Sequence, residues 1–174
     1  HSDDILLSIG KAVEDAASED RHALVHVVHG SKTGLILPSL PHIDALRRRH
    51  GDRLSFVIDA CQARLRGQAI NAYLTRGCTV FVTGSKFMGG PPFSGFALVP
   101  RAVVDAAAEL PVGLADIFHR GEWPDRWPGV ERLPEGTNLG LLLRLEASIF
   151  ELERFQQLSD TDIRRTLDLF DEAV

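Results

Sequence analysis

Three short apolar runs, separated by helix-like stretches, constrain this chain more than any other feature. They are Ala23–Val28 (ALVHVV), Leu54–Ala60 (LSFVIDA) and Cys78–Val82 (CTVFV). Strands that are apolar residue after residue are covered on both faces, the habit of parallel sheets. Helices are predicted around them. Ile5, Leu6, Ile9, Val13 and Ala16 recur at three- and four-residue steps, and helical stretches follow from about Pro41 to Arg49 and from Gly67 to Thr75. Such alternation builds βαβ units with right-handed crossovers. The expected architecture is therefore α/β, a three-layer α/β/α sandwich on a mostly parallel sheet. A fourth strand over Ser94–Val99 is reached only through the Pro/Gly-rich segment Ser85–Phe93. That segment is too short for a helical crossover, which leaves room for an antiparallel neighbour.

Beyond the strands, Arg101–Leu110 reads as an Ala-rich helix, and Gly113–Gly136, with Trp123 and Trp127, as an irregular surface loop. From Asn138 a long helix is expected, with Leu142, Leu145, Ile149, Leu152 and Phe155 on one stripe. Ser159-Asp160-Thr161-Asp162 reads as the N-cap of a last helix.

Composition excludes several classes. The 174 residues, 44% hydrophobic and 25% charged, suffice for one domain with a sizeable core and fit neither a disordered chain nor a disulfide-stapled miniature. A formal charge of −5, with Arg47-Arg48-Arg49 as the one basic cluster, argues against a nucleic-acid partner. No apolar run approaches the ~18 residues of a membrane span. Cys61 and Cys78 lack the paired spacing of a metal site and read as buried free thiols of a cytoplasmic protein. The histidines are not spaced as metal ligands, and His26, inside the first strand, reads as a core residue. The start His1-Ser2-Asp3-Asp4, without Met, suggests that the chain begins inside a larger protein.

In parallel α/β sheets, ligands bind beyond the carboxyl ends of the strands. Three polar clusters fall there: His29-Gly30-Ser31-Lys32-Thr33-Gly34, Asp59-Ala60-Cys61-Gln62 and Thr83-Gly84-Ser85-Lys86. If the strands are neighbours, the clusters converge on one crevice. Asp59 is either a turn carboxylate or the charge partner of a cationic ligand group, and Gln62 reaches the same ligand if the chain turns. Lysine is scarce, with only Lys11, Lys32 and Lys86, and Lys86 alone directly follows a strand, ahead of Phe87-Met88-Gly89-Gly90-Pro91-Pro92. A lysine in an apolar, Gly-lined pocket can hold a lowered pKa and form a Schiff base. The Thr83 and Ser85 hydroxyls with the Gly84 amide would hold an anion such as phosphate. The competing reading of Lys86 is an ordinary surface-loop lysine. Gly30-Ser31-Lys32-Thr33 lacks the upstream glycine of a nucleotide phosphate loop and reads as a turn.

These motifs carry a resemblance. The segment from Asp59 to Pro100 resembles the fold-type I pyridoxal phosphate enzymes, in the branch of class V aminotransferases and cysteine desulfurases. That branch has Asp-Ala-x-Gln at one strand end, then an apolar strand closing in Ser-x-His-Lys before a Gly/Pro loop. Here the two read Asp59-Ala60-Cys61-Gln62 and Thr83-Gly84-Ser85-Lys86, with Ser85 where the family often has His. Ser31-Lys32-Thr33-Gly34 is similar to the family's Thr-Gly loop.

The resemblance implies that the chain is the central and C-terminal part of a large domain, with the N-terminal phosphate-turn region and the small C-terminal domain absent. It implies pyridoxal 5'-phosphate as cofactor and an amino acid or amine as substrate. Lys86 would be the internal-aldimine lysine and proton carrier, Asp59 the partner of the pyridine nitrogen, and Gln62 the partner of the phenolic oxygen. Thr83 and Ser85 would contact the phosphate, and Ser31 would lie near the ring. Transamination is the expected activity, with elimination or desulfuration as alternatives, and a homodimer the expected assembly, the Gly89–Pro92 loop facing the partner. Two other readings stay open: a non-catalytic domain retaining the fold for binding or assembly, and a hydrolase using Ser85 and Lys86.

Overall fold

The computed structural model describes residues 2–30, 34–62 and 67–173. The chain runs α1 (Ser2–Ser18), β1 (Ala23–His29), β2 (Ile36–Leu37), α2 (Leu40–His50), β3 (Leu54–Ala60), α3 (Gly67–Leu74), β4 (Thr79–Thr83), β5 (Gly95–Leu98), α4 (Arg101–Asp105), α5 (Leu139–Gln156) and α6 (Asp160–Ala173). The strands form one sheet in the order β2-β1-β3-β4-β5. β1, β3 and β4 are parallel, whereas β2 and β5 pair antiparallel at the two edges. The fold is thus α/β, but the sheet is mixed rather than mostly parallel. Parallel pairing is confined to strands joined through helices, and the two short connections return the chain antiparallel.

One face of the sheet holds the core. Alternate strand residues Val27, Phe56, Ile58, Ala60, Val80 and Val82 are buried there against Val13 of α1, Ile43 and Leu46 of α2 and Tyr73 of α3. An ion pair ties the end of α3 to α2, with Arg76 Nε and Nη2 donating to the Asp44 carboxylate at 2.8 and 3.1 Å. That guanidinium holds the Asp44 carboxyl below its usual range. The other face of β1 is open: Leu24 is 55% and Val28 42% exposed, and His26 is exposed as well. His26 is therefore not the core residue expected from its apolar neighbours, since it points with Leu24 and Val28 away from α1. Among the described residues α1 to α3 cover one face of the sheet, whereas α5 and the Trp123 region lie only against β4 and β5, so a complete third layer is not seen.

The second half departs further from expectation. α4 ends at Asp105 instead of Leu110, because Leu110 is buried in a small second core and its N–H donates to Pro128 O at 2.9 Å. The supposed loop after it carries three short 3-10 turns around that core, where Phe118, Trp123 and Trp127 stack edge-to-face. The start of α6 is as expected, with Asp162 N–H donating to Ser159 Oγ at 3.1 Å. No helix among the described residues is long and apolar enough to cross a membrane.

Candidate functional site

The register of the three parallel strands brings two of the polar clusters together. Val28 stands opposite Asp59, and Asp59 opposite Phe81, so these three side chains form a row on the open face. Thr83 lies two residues beyond Phe81, hence on the same face, at the carboxyl end of β4. Lys86 follows in the turn that leaves this strand, and its side chain is exposed. Asp59, Thr83 and Ser85 are each partly exposed. Ser31, the remaining candidate, lies outside the described residues.

Local hydrogen bonds decide what each group is able to do. Cys61 N–H donates to Asp59 Oδ1 at 2.9 Å, so one carboxylate oxygen closes the turn after β3. Asp59 thus fills the turn role, while its strand position keeps it on the open face. Gln62 lies in that turn, partly exposed, as does Cys61, which is free but not fully buried as the sequence suggested. Cys78 is buried, and burial pushes its thiol upward. The Gly84 amide is not an anion donor: its N–H is spent on Ser94 O at 2.8 Å. The expected phosphate nest therefore reduces to the Thr83 and Ser85 hydroxyls. Lys86 does not sit in an apolar pocket either, because the turn carries it outward into solvent.

Comparison with protein-family models, with curated proteins and with solved structures finds no match to this chain. No group of three or more His, Cys, Asp or Glu among the described residues is arranged to hold a metal ion.

Two features have no signal in the sequence, a side-chain pair at the end of β1 and a buried serine on α5. His29, at the end of β1, shares a 2.7 Å hydrogen bond between its Nδ1 and the hydroxyl of Tyr73, with the rings edge-to-face at 5.4 Å. The row on α5 that faces the fold includes Ser148, fully buried, in place of the expected Leu142 and Ile149, which are 43% and 40% exposed. A serine in a helical stripe gives no hydrophobic signal, so the periodicity settled on its apolar neighbour. A cavity of about 750 Å³ adjoins the open-face row at Phe81 and is lined further by Phe96, Leu98, Trp123, Leu141 and Leu145.

Proposed function

We propose that this chain is the cofactor-bearing part of the large domain of a fold-type I pyridoxal phosphate enzyme, acting on an amino acid or amine by transamination. One observation carries the reading. Asp59 and Thr83 share the open face at the carboxyl ends of neighbouring parallel strands, with exposed Lys86 in the turn just beyond. A carboxylate there would hold the pyridine nitrogen protonated, and Gln62 would donate to the phenolic oxygen. The Thr83 and Ser85 hydroxyls would donate to the phosphate. When bound, the cofactor supplies a ring that withdraws electrons from the substrate α-carbon. The Lys86 amine would anchor the cofactor and, once released, carry the proton to and from that carbon. Elimination and desulfuration need the same four roles, so the branch is set by groups that contact the rest of the substrate.

The apolar side chains exposed on the open face fit a three-layer arrangement in which that face is covered too. The reading also makes the protein a homodimer, with the Gly89–Pro92 loop and Phe93, 83% exposed, turned toward the partner subunit.

The test is covalent capture. The purified protein is mixed with pyridoxal phosphate, reduced with borohydride and digested, and the modified lysine is located by mass spectrometry. Modification at Lys86 well above that of Lys11, an exposed helix-surface lysine, is the expected result. Lys86→Arg should abolish it. Asp59→Asn should weaken cofactor binding by about tenfold or more, the equivalent of a hydrogen bond to a charged group. Equal labelling of Lys11 and Lys86 would overturn the reading.

A further inference from the structure

We propose that Ser148 of α5 is a positioning residue for Lys86, setting where the turn holds the amine. The inference rests on the reading of Lys86 as the cofactor lysine, and its test separates the two.

The turn after β4 is closed by three backbone bonds. Gly84 N–H donates to Ser94 O at 2.8 Å, Gly90 N–H to Gly84 O at 2.9 Å, and Gly89 N–H to Lys86 O at 3.0 Å. Gly84 and Gly90 thus meet at the base of the turn, and Lys86 lies between them in sequence. Ser148 is seated against both glycines: a Cβ added to either would overlap its side chain. No residue larger than glycine fits at the base of this turn while α5 lies so close. The Ser148 hydroxyl donates to Arg144 O at 2.9 Å, one helical turn back, which satisfies it in a site closed to water.

Two further contacts extend the grip along the same helix face. Leu152 packs against the core cluster that includes buried Met88, and Phe155 meets Phe87 edge-on at 5.2 Å. Positions 148, 152 and 155 fall on one stripe, so α5 touches the turn on both sides of Lys86. Dense packing transmits displacement rather than absorbing it. A larger side chain at 148 therefore moves the turn and the amine it carries. Misplacing a reacting group by about 1 Å can cost on the order of a hundredfold in rate.

The experiment compares Ser148→Ala and Ser148→Val in the purified protein, first by amide hydrogen exchange without cofactor. The Gly89 and Gly90 amides should exchange about tenfold faster or more in Ser148→Val, while the amides of β3 keep their protection and Ser148→Ala behaves as wild type. Capture of pyridoxal phosphate at Lys86 should slow by about tenfold or more in Ser148→Val and change by less than about twofold in Ser148→Ala. Gly84→Ala should reproduce the defect from the opposite side, and Ser148→Gly in that background should relieve it in part, the remainder being the approach of the added Cβ to Ser94 Oγ at 2.9 Å. Unchanged exchange at Gly89 and Gly90 in Ser148→Val, or an equal acceleration in β3, overturns the proposal. A wild-type protein that captures no cofactor overturns the reading of Lys86, while the exchange comparison still decides whether Ser148 holds the turn.

Discussion

Tyr73 is the bulkiest of the side chains fully removed from solvent, and its hydroxyl would be an orphan there without His29. Burial lowers the pKa of His29 from 6.5 and raises that of Tyr73. Between the lowered folded value and the unfolded value of 6.5, the unfolded chain binds the extra proton, so stability rises with pH across that window. The contribution of His29 is fully present above 6.5 and is lost as pH falls below it. Denaturant midpoints measured at near-neutral and mildly acidic pH should fall further in wild type than in His29→Gln, which removes the titration. Tyr73→Phe should cost about 1–3 kcal/mol at neutral pH, because the His29 ring nitrogen is left without its partner. A Tyr73→Phe protein as stable as wild type would mean that water replaces the hydroxyl.

The connection between β4 and β5 shows what an element demands of its ends. Phe93 has φ 62°, a left-handed conformation that side chains resist, one residue before Ser94 accepts the Gly84 amide. Its ring is 83% exposed, so little packing offsets the strain. Phe93→Gly should therefore stabilise the fold by about 0.5–1 kcal/mol, the left-handed penalty less the added entropy of glycine in the unfolded chain. Thermal unfolding checks it, and a lowered midpoint would show that the ring has a partner in solution. Elements defined by their own residues were legible in the sequence. β3 spans Leu54–Ala60, as its sequence predicts, because a short apolar run centred on Phe56-Val57-Ile58 between turn residues allows few alternatives. β2, two residues long, has no alternation to read. α4 stops early because the pull on Leu110 comes from Pro128 and Val130, distant in sequence. In the site, Asp59, Thr83 and Lys86 were legible as strand-end residues. The loss of the Gly84 amide was not, since its partner is Ser94, just ahead of the returning strand.

At the scale of the molecule, the two faces of the sheet answer to different surroundings. The run Ala23–Val28 is as continuously apolar as β3, and its sequence predicts cover on both sides. In β1 only Val27 is fully buried, and Leu24 is 55% exposed, whereas in β3 Phe56, Ile58 and Ala60 are at most 1% exposed. An apolar run tells how many faces are hydrophobic but not which neighbour covers them, so this part of the fold could not be read from one chain. The difference has a thermodynamic signature. Ile58→Ala removes a side chain from the packed core and should cost about 2–5 kcal/mol. Leu24→Ala, on the open face, should stay within about 0.5–1 kcal/mol. Urea unfolding of both variants measures the two costs side by side. Repeating it at a higher protein concentration adds a second reading, because a self-associating fold gains stability with concentration. If Leu24→Ala costs as much as Ile58→Ala, and its cost grows with concentration, the open face of β1 is covered by a second copy of the chain. If the cost is small at every concentration, that face stays open in solution.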